Sequence, residues 1–383
     1  MKDNSSIQNR LSWWESEYLV DGVDYTIIGA GIVGISTAIE LKSIQPELKV
    51  LVLDKKTAPM GASTKNAGFA CFGSISEIWD DFNNYGESTC RKLIEMRWKG
   101  LTKLKSRIPL TRMYYSPKPG SEIFDNEEDM SFYQGKIAWS NALTADILEH
   151  DECYHLQSGA FGEEIINKLE GSLNPQKMMN ELEAKARNLG VIFMFGIEIQ
   201  DIQYQNKVLE SSTGNIGYDK LIVCTNGFSN STLPQSKVRP ARNQVLITNK
   251  MPGFELKHCY HMNKGYVYFR SYNERLLIGG GRDLDLEGET TVELGTTELI
   301  TSYLKEIVKR TILKDREFRI AHTWSGILGV GDSKMPIVKF INPDVLVAIR
   351  MGGMGVAIGS YIGEVAASMV LSIDNTAHQL YVS

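Results

Sequence analysis

Three glycines and a downstream aspartate form the most informative pattern in the chain. Gly29, Gly31 and Gly34 have the spacing G-x-G-x-x-G. In such a pattern the first glycine permits a tight turn, the second lets a phosphate approach the backbone, and the third lets a helix pack closely on a strand. Asp54 follows the last glycine by twenty residues. Its carboxylate could accept hydrogen bonds from ribose hydroxyls, while the unpaired N–H groups at the start of the helix could bind a diphosphate.

The segments around this pattern are those that such a site needs. The apolar run 23–29 predicts a buried strand, and residues 31–44 carry apolar side chains at helical spacing before Pro46. Residues 49–54 predict a second buried strand. Strand, helix and strand in about thirty residues form a βαβ unit and imply a parallel sheet. The glycine pattern therefore predicts a dinucleotide site, although by itself it leaves FAD and NAD open.

Later residues predict a second, antiparallel region. The runs 244–248, 265–270 and 275–279 are β-like and alternate with turns, which indicates an antiparallel sheet in a second domain. Other predicted elements are helices over 80–107, 176–189, 296–313 and 356–371 and strands over 191–195, 218–227 and 345–350.

Composition and charge argue against several classes of function. A chain of 383 residues is long for one core, so two domains are expected. The net charge is −5 and the basic residues are scattered, which argues against nucleic acid binding. Five cysteines without C-x-x-C spacing argue against a disulfide framework or a metal site and favour a reducing compartment. We predict no membrane span and no secretory signal, and hence a cytoplasmic protein.

Further glycine-rich segments follow in a characteristic order. They are the loop 61–68, the turn 224–227, the run 279–282, the segment 324–327 with Asp332 and Pro336, and the turn 352–356. With the first motif, they resemble the D-amino acid oxidase, glycine oxidase and sarcosine oxidase family from about residue 23 to 371. The stretch 268–281 looks closest to the branch that includes γ-glutamylputrescine oxidase.

The resemblance implies FAD as the cofactor and a two-part fold. We expect an α/β FAD-binding domain, Rossmann-like and of the glutathione-reductase type, and an α+β substrate domain with a mostly antiparallel sheet. The expected ranges are 22–80, 146–234 and 316–383 for the FAD-binding domain, 81–145 and 235–315 for the substrate domain, and 1–21 for a lead-in. The FAD is expected to be non-covalent, because Lys65 stands where some relatives carry a linking histidine.

The resemblance also assigns the cofactor contacts to these motifs. The predicted FAD-binding residues are Gly29, Ala30, Gly31, Ile32, Val33, Gly34, Asp54, Lys55, Ala62, Ser63, Thr64, Asn66, Ala67, Gly68, Thr225, Asn226, Gly227, Trp324, Gly326, Gly352, Gly353, Met354, Gly355 and Val356. The helix that begins near Gly355 would direct its positive amino-terminal end at the flavin.

The reaction implied by the resemblance is oxidation of a C–N bond in an amine or amino acid. Hydride passes from carbon to the flavin, an imine forms, and dioxygen or another acceptor reoxidises the cofactor. A substrate carboxylate would be bound by arginine, and the candidates are Arg242, Arg270, Arg282 and Arg350. Arg282 and Arg350 each end a predicted strand, and Tyr268 lies on a strand that could cover the flavin. We therefore predict catalytic roles for Tyr268, Arg282 and Arg350.

Two other functions stay open at this point. One is a flavin-binding scaffold or assembly protein without turnover, since many relatives carry a histidine where Met354 stands. The other is an NAD-dependent dehydrogenase, which would purify without the yellow colour of a flavin. The sequence specifies neither the amine, nor the electron acceptor, nor the oligomeric state.

Overall fold

The computed structural model describes residues 6–231, 233, 236–314 and 316–372. Residues 1–5 of the predicted lead-in and 373–383 of the predicted FAD-binding domain lie outside this range. The helices are α1 (Trp13–Leu19), α2 (Ile32–Ile44), α3 (Ala62–Lys65), α4 (Ile75–Arg107), α5 (Glu127–Gln134), α6 (Ile137–Leu148), α7 (Pro175–Asn188), α8 (Glu298–Ile307) and α9 (Gly355–Val370). The strands are β1 (Tyr25–Ile28), β2 (Val50–Asp54), β3 (Phe69–Ala70), β4 (Gly120–Glu122), β5 (Tyr154–Gly159), β6 (Gly162–Asn167), β7 (Gly171–Ser172), β8 (Ile192–Phe195), β9 (Ile199–Gln203), β10 (Val208–Ser211), β11 (Ile216–Gly217), β12 (Lys220–Val223), β13 (Arg239–Thr248), β14 (Cys259–Met262), β15 (Val267–Tyr272), β16 (Arg275–Gly280), β17 (Ile320–Val330), β18 (Ile337–Asn342) and β19 (Val345–Ile349).

The predicted βαβ unit lies in a six-stranded sheet with the order β18-β19-β12-β1-β2-β8. All neighbouring strands run parallel except β18 and β19. A parallel sheet must be covered on both faces, and β1 is buried along its whole length. Ile27 and Val52 pack against α2, α4 and α9, whereas Ile28 and Leu53 face the three-stranded sheet β9–β11. The prediction of a buried parallel sheet is confirmed.

The helical layer depends on close contact between α4 and α9. A Cβ atom at Gly100 would lie 1.9 Å from the carbonyl oxygen of Ala357. Only glycine lets the two helices approach this closely. This contact holds the amino-terminal turn of α9 next to the end of β19, where the predicted flavin turn lies.

The predicted antiparallel region is an eight-stranded sheet with the order β17-β13-β16-β15-β14-β4-β6-β5. Its strands pair antiparallel except for β4 and β14, which are parallel. One face carries Phe269 and Ile278 and packs on α8. The opposite face carries Val245, Leu277 and Tyr268 and packs on Phe69 of β3. This second face therefore meets the loop that follows β2.

The strands do not follow the predicted domain limits everywhere. β5, β6 and β17 fall in ranges predicted for the FAD-binding domain, but they hydrogen-bond into the eight-stranded sheet. The physical reason is clearest for β17, which pairs with β13 from Val330 to Ile320 along nearly its whole length. The domain limits themselves stay a prediction.

One segment in the described part of the chain, residues 352–370, is long and apolar enough to cross a membrane. Its most apolar window is 56% buried inside the protein. Helix α9 accounts for most of this segment and packs against α2 and α4. Length and apolar composition are also the properties of a core helix, so this segment is weak support for a membrane span.

Candidate functional site

The glycine turn joins β1 to the first turn of α2. Gly29 has φ of +108° and donates its N–H to the carbonyl of Leu53 at 2.8 Å. Helix α2 then begins after Gly31. Because Gly31 has no side chain, a ligand can approach the first N–H groups of the helix. One of these groups, the N–H of Ile32, donates to Ser63 Oγ at 3.0 Å. The loop after β2 is thereby tied to the glycine turn.

Asp54 lies where β2 ends and fixes the same turn. Its Oδ2 accepts the N–H of Ala30 at 2.8 Å, and its Oδ1 accepts the N–H of Lys56 at 2.9 Å. A carboxylate has about four lone-pair positions, so Asp54 retains capacity for a ribose hydroxyl. Its side chain is partly exposed to the cavity described next.

A cavity of about 480 Å³ extends from the glycine turn along the edge of the parallel sheet. Most of the predicted FAD-binding residues line it, from the turn, from the strand end, from the second loop and from the two later glycine turns. They are Gly29, Ala30, Gly31, Ile32, Val33, Asp54, Lys55, Ala62, Ser63, Asn66, Thr225, Asn226, Gly227, Gly352, Gly353, Gly355 and Val356.

A second cavity of about 380 Å³ continues from the first towards the eight-stranded sheet. The two cavities share eight lining residues, which are Ala62, Lys65, Asn66, Leu328, Met351, Gly352, Gly353 and Val356. Ala67, Gly326 and Met354 line the second cavity only. Together the cavities form one elongated space that begins at a phosphate-binding turn, so the residues present fit an extended dinucleotide such as FAD.

Four predicted cofactor residues lie behind the walls and support them. Thr64 bonds to the carbonyl of Gly61 at 3.2 Å. Trp324 donates its indole N–H to the carbonyl of Lys65 at 2.8 Å. A Cβ at Gly34 would lie 2.0 Å from the Gly29 oxygen, and one at Gly68 would lie 2.2 Å from the Leu173 oxygen. In this structure, these four residues shape the backbone that forms the site.

The last turn before α9 is held by one asparagine. Asn226 Oδ1 accepts the N–H groups of both Arg350 and Met351, at 3.1 and 3.0 Å. Arg350 and Asn226 themselves have positive φ values of 68° and 48°. Such conformations are uncommon outside glycine and persist where the surroundings fix them. The asparagine therefore joins the turn after β12 to the turn after β19.

The three predicted catalytic residues all line the second cavity. The hydroxyl of Tyr268 accepts a hydrogen bond from Asn243 at 3.1 Å, and burial raises its pKa. Arg350 donates its Nε to the carbonyl of Met335 at 2.7 Å, and burial lowers its pKa. The guanidinium of Arg282 lies 6.0 Å from the ring centre of Tyr266. That tyrosine precedes β15 and is 39% exposed.

The other two candidate arginines have structural partners. Arg242 binds both carboxylate oxygens of Glu289, at 2.9 and 2.8 Å. Arg270 is 4% exposed and donates to the carbonyls of Ala67 and Leu173, at 2.7 and 3.1 Å. Arg270 thus clamps the end of the second loop to the eight-stranded sheet. The geometry assigns neither residue to a substrate.

We expect Arg270→Lys to weaken FAD binding about ten- to a hundredfold. Lysine cannot make both bonds of the guanidinium, and hydrogen bonds to charged groups contribute about 1.5–3 kcal/mol. Arg275→Lys is the matched control, because Arg275 also donates to a backbone carbonyl, that of Thr248 at 2.7 Å, but away from the loop. Fluorescence titration of the apoprotein with FAD measures both. Equal affinities in the two variants would contradict the clamp.

Charged residues that are not among the predicted site residues also line the second cavity. They are Glu77 and Arg97 of α4, His261 of β14, and Lys65 and Lys334. The sequence around Glu77 and Arg97 does not mark them as cavity residues, because charged side chains on a long helix are normally on its solvent-exposed face. Arg97 is buried against Asp81 at 3.0 Å, and Lys334 binds the other oxygen of Asp81.

His261 forms a buried pair with Glu170 beside this cavity. The distance from His261 Nε2 to Glu170 Oε2 is 3.0 Å. Burial disfavours the imidazolium, but the carboxylates of Glu170, Glu77 and Glu122 together outweigh burial and raise the pKa of His261 to about 9. Glu122, across the strand register from His261, has its pKa raised to about 7 by burial, against the hydrogen bonds from Ser76.

Comparisons with known proteins agree with this geometry. A family model described as FAD dependent oxidoreductase (DAO) matches residues 24–369. The probable oxidoreductase OrdL of Haemophilus influenzae is 23% identical over 387 residues, which cover 93% of this chain and 84% of that protein. The bifunctional protein ThiO/ThiG of a Nostoc species is 24% identical over 276 residues, which cover 69% of this chain but only 40% of that protein. The crystal structure of glycine oxidase from Geobacillus kaustophilus superimposes with a TM-score of 0.75 at 16% identity, covering 94% of this chain and 98% of that chain.

Proposed function

The chain belongs to the FAD-dependent oxidoreductase (DAO) family, and from that premise we propose that it oxidises the C–N bond of an amine or amino acid to an imine. The observation that carries the proposal is the joined pair of cavities. One begins at the phosphate-binding turn, and the other lies between the turn before α9 and Tyr268 of the antiparallel sheet. A flavin ring held at the junction would face the second cavity, which at about 380 Å³ is large enough for a small amine. The glycine oxidase neighbour supports this substrate class by analogy.

FAD, when bound, supplies the hydride acceptor, and the protein has to position and desolvate the substrate. Apolar side chains of Phe69, Val245 and Leu328 line the second cavity and exclude water from the reacting carbon. Tyr268 and Asn243 place a hydroxyl and an amide at the wall. A dedicated general base is not required for transfer of a hydride from an uncharged amine.

Positive charge dominates the described lining of the second cavity. Its cationic side chains are Lys65, Arg97, Arg282, Lys334 and Arg350, whereas Glu77 supplies the carboxylate. Asp81 behind the wall offsets part of this charge through Arg97 and Lys334. This balance favours a substrate that carries a carboxylate. An amino acid fits, and so does a γ-glutamyl amine of the kind implied by the resemblance of residues 268–281.

Anaerobic mixing with a panel of amino acids, N-methyl amino acids and γ-glutamylated amines tests the proposal. At least one compound should bleach the flavin absorbance, and its analogue without a carboxylate should do so at least tenfold less efficiently. Arg282→Met should raise the KM of the active compound about ten- to a hundredfold through loss of a charged contact. Arg310→Met, at an exposed pair with Glu306, should leave it unchanged.

A scaffold without turnover makes the opposite prediction in the same experiment. Dithionite would bleach the flavin while no compound of the panel did, and our proposal would then be wrong. The electron acceptor follows from reoxidation of the bleached enzyme, either by dioxygen or only by added dyes or quinones.

Release of FAD by acid precipitation tests the proposal that the cofactor is non-covalent. A cytoplasmic location is also proposed, supported by the five free cysteines.

A further inference from the structure

Three side chains beside the second cavity have the chemistry of a metal site, and the proposed reaction does not use them. The Sγ of Cys71, a carboxylate oxygen of Glu170 and a ring nitrogen of His261 all lie within 4.8 Å of one another. Glu170 and His261 are buried, and Cys71 is partly buried. We propose that these three residues bind a zinc ion. The sequence argued against a metal site, because these three residues are far apart in the chain and lack any motif spacing.

Short strand pairs bring the three residues together. Cys71 follows β3 and Glu170 precedes β7, and these strands pair so that Ala70 lies opposite Gly171. His261 lies in β14 next to β4. Gly120 of β4 makes room for the carboxylate, since a Cβ there would lie 2.0 Å from Glu170 Oε2. The backbone therefore places Cys71 and Glu170 at neighbouring positions. The absence of a side chain at Gly120 leaves space for the Glu170 carboxylate beside His261.

The distances suit zinc with a small adjustment. Oxygen and nitrogen ligands at about 2.0–2.1 Å from a tetrahedral zinc lie roughly 3.3 Å apart. The observed separation of Glu170 Oε2 and His261 Nε2 is 3.0 Å. With a zinc–sulfur bond of about 2.3 Å, Cys71 Sγ has to move inward by up to about 1.3 Å from its present separation. Cys71 and His261 line the cavity, so a fourth ligand can come from its contents.

Supporting contacts orient two of the proposed ligands. Asn167 donates its amide to Glu170 Oε1 at 3.3 Å and thereby turns the other oxygen towards His261. The ring of Phe69 meets that of His261 edge-on at 5.4 Å. Groups that orient ligands in this way are typical of metal sites. They hold Glu170 and His261 in a binding arrangement before any ion arrives.

The three donor atoms decide which kind of cation fits the site. Calcium and magnesium prefer all-oxygen sites, whereas a set of one sulfur, one nitrogen and one oxygen suits zinc.

The test is zinc binding by the purified flavoprotein after removal of metals with a chelator. Equilibrium dialysis with elemental analysis should give one zinc per chain in the wild type. Cys71→Ser should lower the zinc affinity at least tenfold and keep the flavin spectrum. Cys90→Ser is the matched control, since Cys90 is a buried cysteine that, like Cys71, lies near Arg97 but is outside the cluster.

A second measurement needs no variant. Zinc should slow alkylation of Cys71 at least tenfold in the wild-type protein, as located by peptide mass. The proposal is overturned if no zinc binds, if Cys71→Ser binds zinc as well as the wild type, or if zinc leaves the alkylation of Cys71 unchanged. None of these results depends on turnover, so they are separate from the test of amine oxidation.

Discussion

Gly34→Ala should yield a protein that retains less than about a tenth of the wild-type FAD. The added Cβ would lie 2.0 Å from the carbonyl oxygen of Gly29 and 3.3 Å from the Ile27 side chain. Neither the oxygen nor Ile27 at the end of β1 can move without displacing the glycine turn. That turn carries the N–H groups expected to bind the diphosphate. A shift of even 1 Å at such a site has a large effect on binding geometry.

The matched control is Gly61→Ala in the wall of the same cavity. Gly61 precedes α3 with φ of −89°, and nothing lies within 4 Å of the position of an added Cβ. The ratio of flavin to protein absorbance measures both variants, and the rise in Tm on addition of FAD measures residual affinity. Full FAD content in Gly34→Ala would show that the turn does not bind the cofactor.

Arg97→Met should lower the free energy of unfolding by about 3–5 kcal/mol. Arg97 is 3% exposed, and it binds Asp81 at 3.0 Å and the carbonyl of Phe72 at 3.1 Å. Asp81 is 1% exposed. Methionine fills most of the space but leaves the buried carboxylate with Lys334 as its remaining ion-pair partner among the described residues. Removal of one partner of a buried pair is costly because the other charge stays behind.

Lys99→Met provides the control on the same helix. Lys99 pairs with Glu95 at 2.6 Å, but both side chains are nearly half exposed. Exposed pairs of this spacing contribute less than about 1 kcal/mol. Urea unfolding monitored by circular dichroism compares the two variants with the wild type. Similar losses of unfolding free energy in both variants would mean that burial does not set the strength of the ion pair between Arg97 and Asp81.

Local sequence signals predicted the cofactor half of the fold well. Gly29, Gly31 and Gly34 follow a strand that is buried along its whole length, and this pattern is specific because each glycine has a separate steric task. The strands β5 and β6 escaped prediction for the opposite reason. Their polar sequences, such as Tyr154–Gly159, lack the alternation that marks a half-buried strand. The two strands pair with each other as a hairpin, and only the pairing of β6 with the distant β4 joins them to the rest of the sheet.

The residues that bind the substrate were less predictable, because arginines of the same type differ only in the groups that they contact in the structure. Arg242 and Arg270 were candidates for binding a carboxylate beside Arg282 and Arg350, which were favoured only because each ends a predicted strand. The structure separates them through Glu289 and through two backbone carbonyls. Such contacts join positions many residues apart, so no local pattern records them. The charged groups of α4 and β14 escaped prediction in the same way.

The clamp at Arg270 has a consequence for how substrates reach the flavin. Arg270 belongs to the eight-stranded sheet, yet it donates to the backbone carbonyls of Ala67 and Leu173, which lie in and beside the loop 61–68. Trp324 adds a third such bond, to Lys65. A hinge motion that separated the two sheets would break all three and expose a buried guanidinium. We therefore expect the sheets to stay together during turnover, with substrate admitted by rearrangement of side chains at the rim.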